Sequence, residues 1–199
     1  MKLFLHFAVV GFSNTYLIGP DEGGDAILID PGIMNIELLN LIEKNKLNIK
    51  HILITHNHNS HMAGIKTLQK IYDFDIYTAL PSRIEGEAIE IMDGEIIELG
   101  TFKVLPISIQ GHSPDSFIFQ IDNLLFTGDV LAAGVLGSTP NYKAKVQLVN
   151  TLREKVAKME GNPLIFPGHG PPSTLESELQ FNPYFNGQKE LVQHVDSFR

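Results

Sequence analysis

Short runs of apolar residues, broken by turn signals, indicate β-strands throughout the first half of the chain. These runs are residues 2–10, 14–19, 26–30, 51–55 and 74–79. The first two predict a hairpin. Between the later runs, apolar residues at helical spacing predict helices over residues 36–46, with Asn35 as a candidate cap, and over residues 61–72. The first half therefore predicts the order β-β-β-α-β-α-β.

The second half combines strands and helices in the same way. Its apolar runs are residues 101–109, 116–121, 123–128 and 164–166. A helix is predicted over residues 142–159, before the stop signals Gly161 and Pro163, and a short helix around residues 173–180. Residues 80–100 have a weaker pattern. Strands interleaved with helices indicate the α/β class.

Composition narrows the range of partners. The 199 residues suit one domain or two packed halves, and the formal charge is −8 without a Lys/Arg run. Nucleic acid and anionic membranes need clustered positive charge, so we expect neither as a partner. No apolar run approaches the ~20 residues that span a bilayer, and the first residues indicate a strand rather than a signal peptide. The absence of cysteine excludes thiolate ligands and fits a reducing compartment, so we expect a cytoplasmic protein.

Several predicted strands end in a loop that begins with an ionisable residue. These residues are Asp30, His56 (followed by His58 and His61), His112, Asp129 and His169. Strand ends in a layered α/β fold converge on one edge, where sites gather. Neutral imidazole is the commonest zinc ligand and also suits iron. The pattern therefore predicts a metal site, whereas His6, His51 and His194 lack this context and are interpreted as structural.

Two ions at this edge would share the donors. The expected ligands are His56, His58 and His112 for the first ion and His61 and His169 for the second, with the Asp129 carboxylate bridging them. Asp30 is either a turn residue or a support that fixes the tautomer of a ligand histidine. We expect one or two zinc ions, although iron or manganese suits the same donors.

Six segments carry a family resemblance: "LIDPG", "THNHNSH", "GHSPDS", "TGD", "PGHGPPS" and "FNPYF". Together they resemble the signature of the metallo-β-lactamase-fold superfamily, in particular its glyoxalase II-like (hydroxyacylglutathione hydrolase-like) branch. The resemblance implies a single domain over residues 1–199, built as a four-layer αβ/βα sandwich. Two mixed β-sheets would lie face to face with helices outside and metals at one edge. It also implies the same six ligands.

The sequence departs from the family signature at Ser60, where relatives have an aspartate that binds the second metal. A neutral hydroxyl is a far weaker ligand for a divalent cation than a carboxylate. Ser60 could cap the helix predicted from His61, or contact a metal directly. In addition, Ser138 and Pro140 stand where relatives usually have Arg and Asp, so the resemblance does not predict glutathione specificity.

The resemblance implies a metal-dependent hydrolase of a small-molecule substrate, with Asp129 and Ser60 as candidate catalytic residues. A metal lowers the pKa of bound water to about 7 and stabilises the charge that develops on an attacked carbonyl. A thiolate with a conjugate pKa near ~8.5 departs without much acid help, which favours thioesters over lactams. One alternative is a mononuclear iron persulfide dioxygenase that uses His56, His112 and Asp129. Another is a degenerate member that binds metal without turnover. The oligomeric state is not predicted.

Overall fold

Two six-stranded β-sheets face each other in the computed structural model, which describes residues 1–9 and 11–185. The first sheet has the order β1 (Lys2–Ala8), β2 (Ser13–Gly19), β3 (Gly24–Ile29), β4 (Leu47–Leu53), β5 (Asp75–Thr78) and β6 (Ile89–Glu90). The second has the order β14 (Ser173–Thr174), β13 (Leu164–Pro167), β10 (Leu124–Gly128), β9 (Phe117–Ile121), β8 (Phe102–Ser108) and β7 (Ile97–Leu99). A separate small hairpin pairs β11 (Leu131–Ala132) with β12 (Val135–Leu136).

Helices cover the outer faces of both sheets. They are α1 (Ile36–Lys44), α2 (Asn59–Met62), α3 (Ile65–Leu68), α4 (Tyr142–Lys155) and α5 (Leu175–Phe181). The Asn35 side chain caps α1 by accepting a 2.9 Å hydrogen bond from the Leu38 amide. None of the helices among the described residues has the length and apolarity that a membrane crossing requires.

Three apolar clusters give the layers their order. The first lies between the sheets and joins residues such as Tyr16 and Ile29 to Phe119 and Phe126. The second packs the outer face of the first sheet against α1 and α3, and the third packs the second sheet against α4 and α5. Strand β2 is buried along its whole length because both of its faces are covered. This is the four-layer αβ/βα sandwich that the family resemblance implied.

Mixed strand directions bring the site loops to one edge. In the first sheet β3, β4, β5 and β6 run parallel, while β1, β2 and β3 are antiparallel. In the second sheet β10 and β13 are parallel. The segments that follow β3, β4, β10 and β13 carry the conspicuous ionisable residues of the sequence. Parallel strands present their carboxyl ends at the same edge, so these segments can meet.

The largest difference from the predicted elements lies near Gly64. The helix expected over residues 61–72 is two short helices, α2 and α3, on either side of this glycine. The Gly64 amide donates to the Pro31 carbonyl at 2.8 Å, and a Cβ on Gly64 would lie 2.7 Å from that oxygen. The close approach of the Pro31 loop therefore requires glycine here and interrupts the helix.

Smaller differences concern element ends and short strands. Strand β1 ends at Ala8, α1 at Lys44 and α4 at Lys155, each before the predicted end. The short strands β6, β7, β11, β12 and β14 were not predicted, because two or three residues carry too little periodicity to be recognised.

Candidate metal centre

Six histidine and aspartate side chains from four segments converge at the edge of the sandwich. One cluster contains His56, His58, His112 and Asp129, hereafter group 1. The other contains His61, Asp129 and His169, hereafter group 2. In each group the nearest ring nitrogens and carboxylate oxygens lie within 4.8 Å of one another. The structure thus brings together every residue that the sequence proposed as a metal ligand.

Group 1 has the spacing of a tetrahedral site. His56 Nε2 lies 2.7 Å from His58 Nδ1, which lies 3.2 Å from His112 Nε2. The Asp129 Oδ2 atom is 3.6 Å from His56 Nε2 and 3.7 Å from His112 Nε2. Zinc–nitrogen bonds of about 2.0–2.1 Å in a tetrahedron place neighbouring nitrogens about 3.3 Å apart. The four donors therefore surround a volume that suits one cation.

Group 2 shares its carboxylate with group 1. Asp129 Oδ1 is 3.3 Å from His61 Nε2, and Asp129 Oδ2 is 3.4 Å from His169 Nε2. Oδ2 therefore lies near histidines of both groups and Oδ1 near His61, so this carboxylate is placed to bridge paired metals about 3.5–4 Å apart. Group 2 has three donors where group 1 has four.

Buried polar atoms support the fit to a cation. Both ring nitrogens of His61 and the Asp129 Oδ1 atom are buried, and among the described residues none of them makes a hydrogen bond of good geometry. Leaving such atoms unsatisfied is costly, and a bound cation would satisfy His61 Nε2 and Asp129 Oδ1. Gly168 keeps this space open, because a Cβ there would lie 2.5 Å from Asp129 Oδ1. The residues present therefore fit a metal ion.

Backbone carbonyls orient two of the imidazoles. The Nδ1–H group of His112 donates to the Ser138 carbonyl at 2.8 Å, and that of His169 donates to the Phe12 carbonyl at 2.7 Å. This assignment follows from the acceptor character of a carbonyl, and it leaves both Nε2 lone pairs directed at Asp129. Such partners fix the tautomer of ligand histidines in metal sites. Phe12 adopts a positive φ of 52° to present its carbonyl, which is uncommon for a bulky residue.

Asp30 lies behind the site, next to His61. Its Oδ1 accepts the Thr55 amide at 2.8 Å and its Oδ2 accepts the Thr55 hydroxyl at 2.6 Å. The same Oδ2 is 3.1 Å from His61 Nδ1. The Thr55 hydroxyl is in turn 3.1 Å from His56 Nδ1. Asp30 therefore has the position that a supporting role for both histidines requires.

The electrostatics of the two groups differ. Burial, aided by the neighbouring His61, lowers the pKa of His56 to about 3. Burial also disfavours a charged His61, but the carboxylates of Asp30 and Asp129 outweigh it and raise the pKa of His61 to about 10. Burial would raise the pKa of Asp129, yet His169 and His61 hold it well below its usual range. Group 2 thus attracts positive charge, whether a proton or a metal ion.

Ser60 does not cap the helix, so that part of the prediction is wrong. Helix α2 begins at Asn59, and its N-cap residue, His58, makes no side-chain cap bond. Ser60 is the second helical residue, and its carbonyl accepts the Ser13 hydroxyl at 2.7 Å. Its Cβ lies close to Gly11, where an added Cβ would be 3.1 Å away. The reason is that the chain turns into the helix two residues earlier than the hydrophobic pattern indicates.

Sequence reasoning missed a buried carboxylate at Asp115. Its Oδ2 accepts the backbone N–H of Asn57 at 2.8 Å, and the residue is 7% exposed. Asn57 lies between His56 and His58, and Asp115 follows His112 by three residues. One carboxylate therefore connects the two loops that supply all three imidazoles of group 1. The available signal was a charged residue inside the "GHSPDS" segment.

Asn14 was also missed. Its Nδ2 donates to the carbonyls of Pro167 and Gly170 at 3.0 and 2.8 Å, and so holds both sides of the loop that carries His169.

The histidines interpreted as structural lie outside both groups. His6 is buried on β1, His51 lies on β4, and His194 lies outside the described residues.

A cleft of about 210 Å³ opens beside Asp129. Its lining residues are His112, Gly128, Asp129, Ala132, Val135, Leu136, Gly137, Ser138 and His169. Val135 and Leu136 line this cleft, whereas the apolar loop residues Phe12, Ile33, Met34 and Tyr142 do not. The cleft therefore combines the polar cluster with one apolar wall.

Known proteins with similar sequences and structures identify the family. The profile of the metallo-beta-lactamase superfamily matches residues 8–88. A hydroxyacylglutathione hydrolase of Francisella tularensis subsp. tularensis (strain WY96-3418) is 32% identical over 178 residues, 84% of this chain and 70% of that protein. Hydroxyacylglutathione hydrolase GloC of Haemophilus influenzae is 29% identical over 88% of this chain and 93% of its own length.

A solved structure agrees with these relatives. The structure of TTHA1623 in a di-iron-bound form has a TM-score of 0.75 and 27% identity, over 91% of this chain and 99% of that chain. The chain therefore belongs to the metallo-β-lactamase superfamily, and its relatives are hydroxyacylglutathione hydrolases (glyoxalase II), as the sequence motifs indicated.

Proposed function

We propose that this protein is a metal-dependent hydrolase that cleaves thioesters or similarly activated esters. The observation that carries the proposal is the convergence of five imidazoles on the two oxygens of Asp129 beside an open cleft. The names of the curated relatives support a hydrolase. A bound divalent cation supplies an activated water and a Lewis acid for the substrate carbonyl.

The chain's own residues hold and orient the reacting groups. We assign His56, His58, His112 and Asp129 to the first ion and His61, Asp129 and His169 to the second. Asp30 fixes the orientation of His61, and the carbonyls of Phe12 and Ser138 fix two further rings. Because the Asp129 carboxylate belongs to both groups, we place the reaction between the two groups.

The cleft suits a leaving group that departs as an anion. Among the described residues that line it, the titratable side chains are His112, Asp129 and His169, all of them members of the two groups. No separate acid is therefore available there to protonate an amine. A thiolate, whose conjugate acid has a pKa near ~8.5, departs without one.

We propose zinc as the cofactor, with iron or manganese as alternatives. Imidazole and carboxylate donors suit zinc and iron alike, and the similar TTHA1623 structure is described as di-iron-bound. We also propose that Ser60 leaves group 2 one protein donor short, so that the second ion binds more weakly than the first. Ser60 acts through this weakened site rather than as a cap.

A second candidate function is oxygen chemistry at a single iron. Asp129 Oδ2 lies 3.6 Å from His56 Nε2 and 3.7 Å from His112 Nε2, and these three side chains make up the two-histidine-one-carboxylate donor set of such iron sites. Against it, His58 Nδ1 lies within 2.7 Å of His56 and adds a third imidazole to the same group.

Hydrolysis of acyl thioesters by the metal-loaded protein tests the proposal. We expect turnover that falls at least a hundredfold in His56→Ala and is unchanged in His51→Ala, a histidine outside both groups. Activity that survives His56→Ala contradicts the proposed site. Oxygen uptake with glutathione persulfide, without thioester hydrolysis, would favour the iron candidate. Absence of turnover in both assays would indicate a metal-binding protein without catalysis.

Three expectations from the sequence remain predictions. They are a small-molecule substrate, the absence of nucleic-acid and membrane partners, and a cytoplasmic location.

A further inference from the structure

The small hairpin of β11 and β12 forms the apolar wall of the cleft. Ala132, Val135 and Leu136 line the cleft opposite the polar residues His112, Asp129 and His169. Val135 is 55% exposed. Leu131, at the base of the hairpin, is fully buried in the third apolar cluster, and Leu136 packs partly against that cluster. The hairpin therefore stands on the core, while Ala132, Val135 and part of Leu136 line the cleft.

Hydrogen bonds attach both ends of this hairpin to the candidate site. The Thr127 hydroxyl donates to the Leu131 carbonyl at 2.6 Å, just before Asp129. Beyond the other end of the hairpin, the Ser138 carbonyl accepts the Nδ1–H group of His112. Close packing adds to this, because a Cβ on Gly137 would lie 1.8 Å from the Asp129 carbonyl oxygen. The wall is therefore fixed relative to the metal ligands.

A buried carboxylate holds the turn of the hairpin. Glu178 on α5 is 2% exposed, and both of its carboxylate oxygens accept the Gly134 amide, at 3.2 and 3.1 Å. The Asn182 side chain donates to the same carboxylate at 2.8 Å. Burying a carboxylate is costly unless its hydrogen bonds compensate. These bonds connect α5 and the "FNPYF" segment to the one turn that carries the apolar wall.

We propose that the β11–β12 hairpin binds a compact apolar acyl group of the substrate, and that Glu178 is a positioning residue for this wall. The inference rests on the proposed function, because it places the acyl group beside the thioester carbonyl. The cleft of about 210 Å³ exceeds an apolar cavity of about 150 Å³ that accepts benzene. It therefore has room for a short linear or branched chain, while Val135 and Leu136 offer no partner for a charged one.

Matched thioesters of one small thiol test the wall directly. The series is acetyl, butyryl and hexanoyl, with succinyl as a charged comparison for butyryl. Each methylene that reaches the wall is expected to raise kcat/KM about fourfold, so butyryl should exceed acetyl about 15-fold and exceed succinyl as well. In Leu136→Ser the butyryl-to-acetyl ratio should fall below about 4, with metal content unchanged. An unchanged ratio in this variant, or a preference for succinyl, would overturn the proposal.

Glu178→Gln tests the positioning role, with Glu176→Gln as its control. Glu176 is an exposed glutamate on the same helix. We expect Glu178→Gln to raise KM for butyryl thioester at least fivefold with little change in kcat or metal content, and Glu176→Gln to resemble wild type. Equal parameters in the two variants would overturn the role. An unfolded Glu178→Gln protein, seen by circular dichroism, would do so too, since Glu178 would then support the whole fold rather than the wall.

Ligand binding separates failure of this inference from failure of the proposed function. Calorimetry of the metal-loaded protein with acetate, butyrate and hexanoate, which carry the acyl chains of the series, does not depend on turnover. Affinity that rises with chain length in wild type, but not in Leu136→Ser, supports the wall even if no thioester is hydrolysed. A flat series in wild type overturns the wall even if thioesters are hydrolysed.

Discussion

Asp115→Ala should weaken metal binding at group 1 although Asp115 is not a ligand in either group. The wild-type carboxylate accepts the Asn57 amide at 2.8 Å from a position that is 7% exposed. Removing it frees the loop segment between His56 and His58, whose facing ring nitrogens are only 2.7 Å apart. The free protein must then reorder that loop whenever it binds an ion.

The size of the effect follows from this single contact. A hydrogen bond to a charged group contributes about 1.5–3 kcal/mol. If the whole contribution is lost from the metal-bound state, the affinity falls about 10- to 150-fold. Outer partners of metal ligands typically change metal affinity by about 10- to 100-fold, so the two estimates agree.

Competition with a chromophoric zinc chelator at neutral pH measures the first dissociation constant. Asp115→Asn should lose less affinity than Asp115→Ala, because an amide oxygen can still accept the Asn57 amide. Asp73→Ala is the control for net charge, since Asp73 is fully exposed and precedes β5, away from the carboxyl ends of the strands. If Asp115→Ala and Asp73→Ala bind the first ion equally well, the proposed connection between the two loops has no energetic role.

Three further predictions concern the second ion and the space around it. Ser60→Asp should raise the metal content of the purified protein from about one equivalent toward two; two equivalents in wild type, measured by elemental analysis, would show that Ser60 does not weaken group 2. On acidification from pH 8 to pH 5, the ion at group 2 should leave first. The reason is that protons compete for His61, whose pKa is raised to about 10, more than for His56, whose pKa is lowered to about 3. The absorption of bound Co²⁺ measures this order, and earlier loss of the group 1 ion would contradict it. Gly168→Ala should reduce the binding of both ions, because its Cβ would lie 2.5 Å from Asp129 Oδ1; metal content equal to wild type would show that the loop yields at little cost.

The candidate ligands could be predicted because each lies in a segment that follows a recognisable strand. Strand β10, before Asp129, is buried at every position, and strand β4, before His56, ends in buried apolar residues, as is typical of strands covered on both faces. A parallel sheet then places the strand ends at one edge whatever the details of packing. The residue types also made the kind of site predictable, since clusters of imidazoles have few uses other than metal binding.

The supporting residues could not be predicted, because their partners are distant in the sequence. Asp115 and Asn57 are 58 residues apart, and Glu178 and Gly134 are 44 apart. A lone Asp or Glu in a loop or on a helix has the same local pattern whether it is exposed or buried. The interruption of the helix at Gly64 has the same origin, since it depends on where the Pro31 carbonyl lies.

By itself, the sequence determined the layered α/β class and the six donors, because hydrophobic periodicity and residue chemistry are local properties. The tertiary structure alone decided that Asp115 connects the two loops of group 1, that Ser60 lies within a helix rather than at its cap, and that an apolar hairpin stands beside the site. Those features depend on distances between segments that are far apart along the chain, and such distances are set by the packing of the two sheets.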